Sequence, residues 1–276
     1  MSFPAPAPDS FALITGASQG IGEAIARQLA AEGHNLILVA RRQEVLQKLG
    51  DELSLAHGIN VEIFAADLSK ARDVDALIRH IGNRTISICV NSAGIASFGP
   101  FMAQDWEYET NQFNLNATAV FRITKAVLEQ MTVRGEGALC NVGSAAGNLP
   151  IPNNATYVFT KAGVNMFTEA LHYELKDSGV HVTLLAPGPV REAYIPEEEQ
   201  TIVDKVVPDF LWTTYESCAA ETIRAMKANR RRIVPGPYLL VQAAQGDRVA
   251  EQRQAGIEVQ PFRPDLDGLG HALVAH

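Results

Sequence analysis

Short apolar runs alternate with helical patterns along most of this chain, and that alternation leaves few folds open to it. The runs are Phe11–Thr15, Asn35–Arg42, Val61–Ala66, Ile86–Val90, Ala138–Val142, Val180–Ala186 and Ile233–Val234. The first six have the length of a buried strand, and the seventh is a two-residue apolar pair. Between them lie helical patterns at Glu23–Glu32, Gln43–Ala56, Ala71–Ile81 and Asp105–Arg134, and another from the Pro150/Pro152 loop to about Asp177. Parallel strands need long crossovers, and helices supply them. The pattern predicts an α/β chain with one doubly wound, parallel, seven-stranded sheet and right-handed crossovers. At 276 residues and 47% hydrophobic, with no break in composition, the chain reads as a single domain. Residues 1–10 hold Pro4, Pro6 and Pro8 and read as a flexible arm; 11–236 form the domain; 237–276 form a C-terminal extension. Pro261, Pro264, Gly268 and Gly270 break regular structure in that extension, which either packs on a neighbouring subunit or stays mobile.

Gly16-Ala-Ser-Gln-Gly20-Ile-Gly22 stands between the first run and the first helix. Glycines there let backbone approach a pyrophosphate, and the helix N-terminus offers N–H groups and positive potential. The spacing is G-x-x-x-G-x-G rather than G-x-G-x-x-G, and tight turns use glycines too. A site for an unphosphorylated ribose wants a carboxylate at the end of the second run. Here that end is Ala40, then Arg41 and Arg42, two guanidiniums suited to a phosphate. Ser18 can add a hydroxyl; Arg42 either joins in or caps a solvated strand end. Asp67 and Leu68 close the third run, where open α/β sheets bind ligands, and Asp67 can also cap the next helix. Asn91-Ser-Ala-Gly94 closes the fourth with small residues.

Tyr157 and Lys161 are four residues apart on a helix that Asn153, Asn154 or Thr156 can cap. The spacing puts phenol and ammonium on one face, where a cation favours the phenolate and can lower its pKa. Tyr-x-x-x-Lys is also common on ordinary helices. Ser144 precedes the helix by a loop that can turn its hydroxyl toward Tyr157. Asn116 is a misfit in the middle of a helical pattern that is either one long helix or a broken one. That pattern carries apolar residues on more than one face, such as Phe113, Leu115, Val120 and Val127, consistent with cover from the sheet and from another subunit.

A net charge of −8 argues against non-specific nucleic-acid binding. The histidines have no metal-ligand spacing, so no metal site is expected. Cys89, Cys140 and Cys218 are far apart, and the first two sit in strand-like runs, which suits small core side chains in a reducing, cytoplasmic setting. Met1–Ser10 lacks the basic start and apolar core of a secretory leader, and no run approaches a membrane span.

Together these residues resemble the short-chain dehydrogenase/reductase family in its compact, single-domain branch. Thr15-Gly-x-x-x-Gly-x-Gly22, Asp67, Asn91-x-Ala-Gly94, Asn116, Ser144, Tyr157-x-x-x-Lys161 and Pro187-Gly188 occur in the family's order. The resemblance runs from about Ser10 to Gly236 and implies a Rossmann fold that moves a hydride between NADP(H) and a carbonyl or secondary alcohol. By position it implies that Thr15, Gly16, Gly20, Ile21 and Gly22 line the diphosphate, with Ser18, Arg41 and Arg42 at the 2′-phosphate. Asp67 and Leu68 would flank the adenine, and Asn91, Ala93 and Gly94 would pass beneath the ribose. Pro187, Gly188 and Val190 would meet the nicotinamide end. Tyr157 would be the acid–base residue, Lys161 would hold the ribose and lower the tyrosine pKa, Ser144 would bond the substrate oxygen, and Asn116 would kink its helix and hold a water. A homodimer or homotetramer is implied, with no nucleic-acid or membrane partner.

One motif departs from the family. Where a threonine usually follows Pro187-Gly-Pro-Val190 by two residues, this chain has Arg191 and Glu192, and a carboxylate cannot donate to a carboxamide oxygen. Glu192 either accepts from the carboxamide or turns outward. Residues 193–215 are the expected substrate cover. Their apolar set, including Ile202, Val206, Phe210 and Trp212, suits an aliphatic or aromatic carbonyl, and Glu197–Glu199 suits a solvated face. Trp106 and Tyr108 are either pocket or core. Two alternatives remain: a β-ketoacyl-carrier reductase, which would need a basic patch at the pocket, and a non-catalytic NADP-binding regulator.

Overall fold

Seven strands, β1 (Ser10–Thr15), β2 (Asn35–Ala40), β3 (Val61–Ala65), β4 (Thr85–Asn91), β5 (Gly137–Val142), β6 (Val180–Leu185) and β7 (Arg232–Ile233), form one sheet. Its order is β3-β2-β1-β4-β5-β6-β7 and every pairing is parallel, as the alternation predicts. The structure is a computed structural model and describes residues 2–191 and 208–236. The expectations for Glu192, for residues 193–207 with Glu197–Glu199, and for the 237–276 extension lie outside the described residues.

Helices α1 (Gly20–Ala31), α2 (Gln43–His57), α3 (Ala71–Ile81), α4 (Trp106–Phe113), α5 (Val120–Arg134), α6 (Ala155–Glu174) and α7 (Tyr215–Lys227) cover the sheet. Successive strand residues serve opposite faces. Ile14, Leu38, Ile88 and Cys140 join Ile25, Leu29 and Leu46 in one buried cluster. Leu13, Ile37, Cys89 and Leu139 join Leu77, Ile123 and Val127 in the other. Strands buried on both faces read as continuous apolar runs rather than alternating ones. The three cysteines are free and buried, Cys218 on α7 included.

The order reverses direction at β1, which has β2 on one side and β4 on the other. Loops from the two directions part there at the C-terminal edge, opening a crevice. The stretch expected to be a loose arm carries contacts. The Asn35 Nδ2 donates to Ala7 O at 3.2 Å and Pro8 O at 3.0 Å, and Phe3 sits edge-on to His34.

The helical pattern from Asp105 is broken in one place. Asp105 caps it, accepting from Tyr108 N at 2.7 Å, and a π-helical turn at Asn114–Ala119 separates α4 from α5. Such a turn carries one extra residue and typically sits where a side chain must be re-aimed. Asn154 stands at the N-cap of α6, but its side chain makes no cap bond; it donates to Ser97 O instead. Asp67 does not cap α3, whose N-cap is Lys70; its Oδ1 accepts from Ser69 N at 3.1 Å and from Ser69 Oγ at 2.8 Å. Among the described residues no helix is long and apolar enough to cross a membrane.

Candidate functional site

The crevice holds a cavity of about 510 Å³. It is lined by Gly16, Ser18, Gly20 and Ile21 from the turn after β1, by Arg41 and Arg42 after β2, and by Asp67 and Leu68 after β3. Ala93 and Gly94 after β4, Tyr157 and Lys161 on α6, and Pro187 after β6 also line it, while Ser144, expected beside Tyr157, is buried outside the lining.

Other expected residues stand behind the lining and shape it. The Thr15 hydroxyl accepts from Ser92 N and Ala93 N, both at 3.1 Å, so it pins the turn after β4. A Cβ on Gly22 would lie 2.5 Å from Gly16 O, so this glycine lets α1 close onto its own turn. Gly16 has φ of 70° and its Cβ would lie 2.8 Å from Ala93 N. Asn91 is buried in the sheet, donating to Thr124 Oγ1 at 3.1 Å and Asn141 Oδ1 at 2.9 Å. Gly188 and Val190 are also outside the lining; Val190 pairs with Thr213 and secures the strand end.

The donor set suits a nicotinamide dinucleotide. A glycine turn opens α1, a floor of small residues follows β4, and two guanidiniums with no carboxylate follow β2. Arg42 is not a simple strand-end cap. Its Nη2 donates to Ser18 O at 2.9 Å, Ser18 Oγ at 3.0 Å and Gln19 Oε1 at 2.6 Å, tying the glycine turn to the end of β2. Arg41 lines the cavity beside it.

At the other end, Lys161 Nζ donates to Val142 O at 2.7 Å and lies 5.7 Å from the Tyr157 ring centroid. Lys161 is 5% exposed, and burial pushes its ammonium down to about 8. The Tyr157 phenol differs from the expectation that Lys161 lowers its pKa. Burial pushes it up, while a hydrogen bond with Ser144 pulls the other way. The reason is geometric: the ammonium is aimed at the Val142 carbonyl, and desolvation of the phenolate outweighs what remains.

Asn116 sits in the π turn. Its Oδ1 accepts from Ile95 N at 3.0 Å, and its Nδ2 donates to Ile95 O at 2.8 Å and to Thr160 Oγ1 at 3.3 Å. The mid-helix misfit is thereby explained, since the wider turn carries the side chain to the loop after β4. A Cβ on Gly94 would lie 3.2 Å from Asn116 Oδ1 and 3.5 Å from Lys161 Nζ. Trp106 is 78% exposed and outside the lining, and the Tyr108 hydroxyl donates to Ala96 O at 3.1 Å. Arg191, beside the departed motif, donates to Asp209 Oδ1 at 2.6 Å and lies 4.3 Å over the Trp212 ring.

Two residues are missing from the sequence reading. Asn165 is fully buried; its Nδ2 donates to Ser144 O at 2.9 Å and Asn148 Oδ1 at 3.3 Å, and its Oδ1 accepts from Ser144 N at 3.3 Å. Its signal was available, because Tyr157, Lys161 and Asn165 continue one i, i+4 series. Gly143 makes room for it: a Cβ there would lie 1.9 Å from Asn165 Oδ1. Tyr215, the first residue of α7, lines the cavity, and a Cβ on Gly20 would lie 3.5 Å from its ring. Nothing local in sequence joins positions so far apart.

The model of the short chain dehydrogenase family matches residues 10–201. The very-long-chain 3-oxoacyl-CoA reductase of Neurospora crassa is 38% identical over 181 residues, 64% of this chain and 54% of that protein. The 17-beta-hydroxysteroid dehydrogenase type 3 of Mus musculus is 35% identical over 180 residues, 64% of this chain and 59% of that one. This chain therefore spans little more than half the length of either. A short-chain dehydrogenase from Sphingobium yanoikuyae, solved in complex with NADPH, superposes with a TM-score of 0.76 at 29% identity, covering 93% of this chain and 99% of the other.

Asn165→Leu removes three hydrogen bonds around Ser144 and is expected to cost about 2 kcal/mol of stability in urea unfolding. A loss below about 0.5 kcal/mol, within the range of an ordinary surface change, would show that the Ser144 turn stands without Asn165.

Proposed function

This chain belongs to the short-chain dehydrogenase family, and on that premise we propose that it is an NADP(H)-dependent oxidoreductase acting on a carbonyl or secondary alcohol. The observation that carries the proposal is the buried Lys161 ammonium near Tyr157, whose phenol bonds Ser144, in a cavity that extends to Ser18, Arg41 and Arg42. Two relatives support the reaction class, one named for a 3-oxoacyl reduction and one for a hydroxysteroid dehydrogenation.

The nicotinamide, when bound, supplies or accepts the hydride. This chain's residues handle the oxygen. Burial keeps the Tyr157 phenol protonated at neutral pH, so it holds a proton ready for a carbonyl oxygen. Ser144 bonds the same oxygen and orients it. The Lys161 charge favours negative charge on that oxygen as it develops, and a low-dielectric site strengthens the effect. In the oxidative direction the Tyr157 phenol must first release its own proton to solvent, and the phenolate then takes the alcohol proton.

Preference for NADP(H) is supported by Arg41, Arg42 and Ser18, and by the absence of a carboxylate at the end of β2. The relative named for 3-oxoacyl-CoA reduction favours the β-ketoacyl reading as the alternative. A catalytically silent regulator fits less well, because the chain keeps Asn116, Ser144, Tyr157 and Lys161. The working unit in this proposal is 11–236, in a cytoplasmic, reducing setting that suits three free cysteines. Assembly as a homodimer or homotetramer is supported by exposed aromatic faces. Phe113 stacks on Phe159 and Phe121 meets Phe167, each at 5.5 Å, with Met166 exposed on α6.

Fluorescence titration should give NADPH at least about tenfold tighter binding than NADH, about 1.4 kcal/mol, and Arg41→Ala should erase that difference. Equal binding by the unaltered protein would remove the NADP(H) preference and leave the reaction class. Tyr157→Phe should cut carbonyl reduction about 100-fold or more while leaving NADPH binding intact. Retention of more than about a tenth of the rate would sink Tyr157 as the proton donor.

A further inference from the structure

Three loops leave the cavity at the C-terminal edge of the sheet. The first follows β4, and its start, Ile95 and Ala96, still lines the cavity. The second follows β5 through Gly143 and returns to Tyr157. They are joined: Gly99 N donates to Asn153 O at 2.8 Å, and Asn154 Nδ2 donates to Ser97 O. The third follows Pro187 and is fastened by the Val190–Thr213 bridge and by Arg191 N donating to Thr213 O at 2.9 Å.

These loops hold large apolar side chains in solvent. Phe98 is 65% exposed, Phe101 54%, Phe210 70%, Leu149 39% and Ile151 38%. Apolar groups gathered in solvent at the mouth of a cleft mark a binding surface. The first two loops are also uncharged, since no ionisable side chain occurs between Ile95 and Gln104 or between Ala145 and Asn154. On the third loop Arg191 is engaged with Asp209 and Trp212. A phosphorylated thioester would look for guanidinium or ammonium groups here, and the first two loops offer none.

We infer that the substrate is a bulky, uncharged, apolar ketone or its secondary alcohol, whose body lies on Phe98, Leu149 and Ile151 while its oxygen meets Tyr157 and Ser144. This rests on the oxidoreductase reading above and stands against the β-ketoacyl alternative. The carbonyl end meets polar groups, and the rest of the substrate covers apolar surface that is exposed among the described residues.

The test uses the full chain with NADPH and three probes: hexanophenone, 2-butanone and acetoacetyl-CoA. Hexanophenone should give kcat/KM about 100-fold above 2-butanone, since each methylene or ring carbon buried contributes. It should also exceed acetoacetyl-CoA by about tenfold or more. Phe98→Ala and Ile151→Ala, both at exposed positions, should each lower kcat/KM for hexanophenone about tenfold through KM and lower that for 2-butanone much less. A lead for acetoacetyl-CoA, parity of 2-butanone with hexanophenone, or equal effects of the variants on both ketones would overturn the inference and keep the oxidoreductase. Turnover of none of the three by protein that binds NADPH would overturn both.

Discussion

Burying the Lys161 ammonium is the constraint around which this site is arranged. Taking such a charge out of water costs several kcal/mol unless polar groups receive it. Here the Val142 carbonyl, at the end of β5, accepts from Nζ at 2.7 Å. Four pieces of chain converge on that cation: β5, α6, the Gly94 turn after β4, and the π turn that holds Asn116. Gly94 leaves space where a Cβ would crowd Asn116 and come into contact with Lys161. The π turn spends one extra residue to bring Asn116 to Ile95 and Thr160. A charge kept at some cost in stability is what a site needs to favour negative charge on a nearby oxygen.

A second layer, in the core rather than the cavity, sets where the lining lies. Asn91 on β4 and Asn141 on β5 bond each other and Thr124 on α5, and Asn141 reaches Thr168 on α6 at 3.1 Å. Thr15 does the same between β1 and the turn after β4. Asn165 fastens the turn after β5. Polar groups that bond one another in an apolar core fix strand and helix ends in register, although Asn91 Oδ1 itself stays buried without a partner among the described residues. The family-like residues thus divide into those that can touch a ligand and those that hold the first group in place.

The sheet, its order of elements and most of the cavity were legible in the sequence, because strands buried on both faces and an interrupting glycine turn leave a strong pattern. The Tyr157–Lys161 pair was legible from helical spacing. What spacing could not say was whether a residue faces the ligand or its neighbours: Thr15, Gly22 and Asn91 read as lining and are support. Nor could it give the balance of burial against charge at Tyr157, which depends on where the Lys161 ammonium points. Arg42 was ambiguous until Ser18 and Gln19 were seen to receive it. Tyr215 reaches Gly20 across the whole fold, and only the tertiary structure brings the two together.

The measurement that tests this most directly is the rate of carbonyl reduction against pH at saturating NADPH. Burial places the Lys161 titration at about 8, with the charged form below it, and lifts Tyr157 above its ordinary range. Raising the pH through about 8 therefore removes the ammonium while the phenol keeps its proton. The rate should fall about tenfold between pH of about 7 and about 9, as a single group of pKa near 8 dictates. A rate that stays level to pH of about 10, as a solvated lysine near its ordinary value would give, would contradict the buried ammonium as the centre of the site.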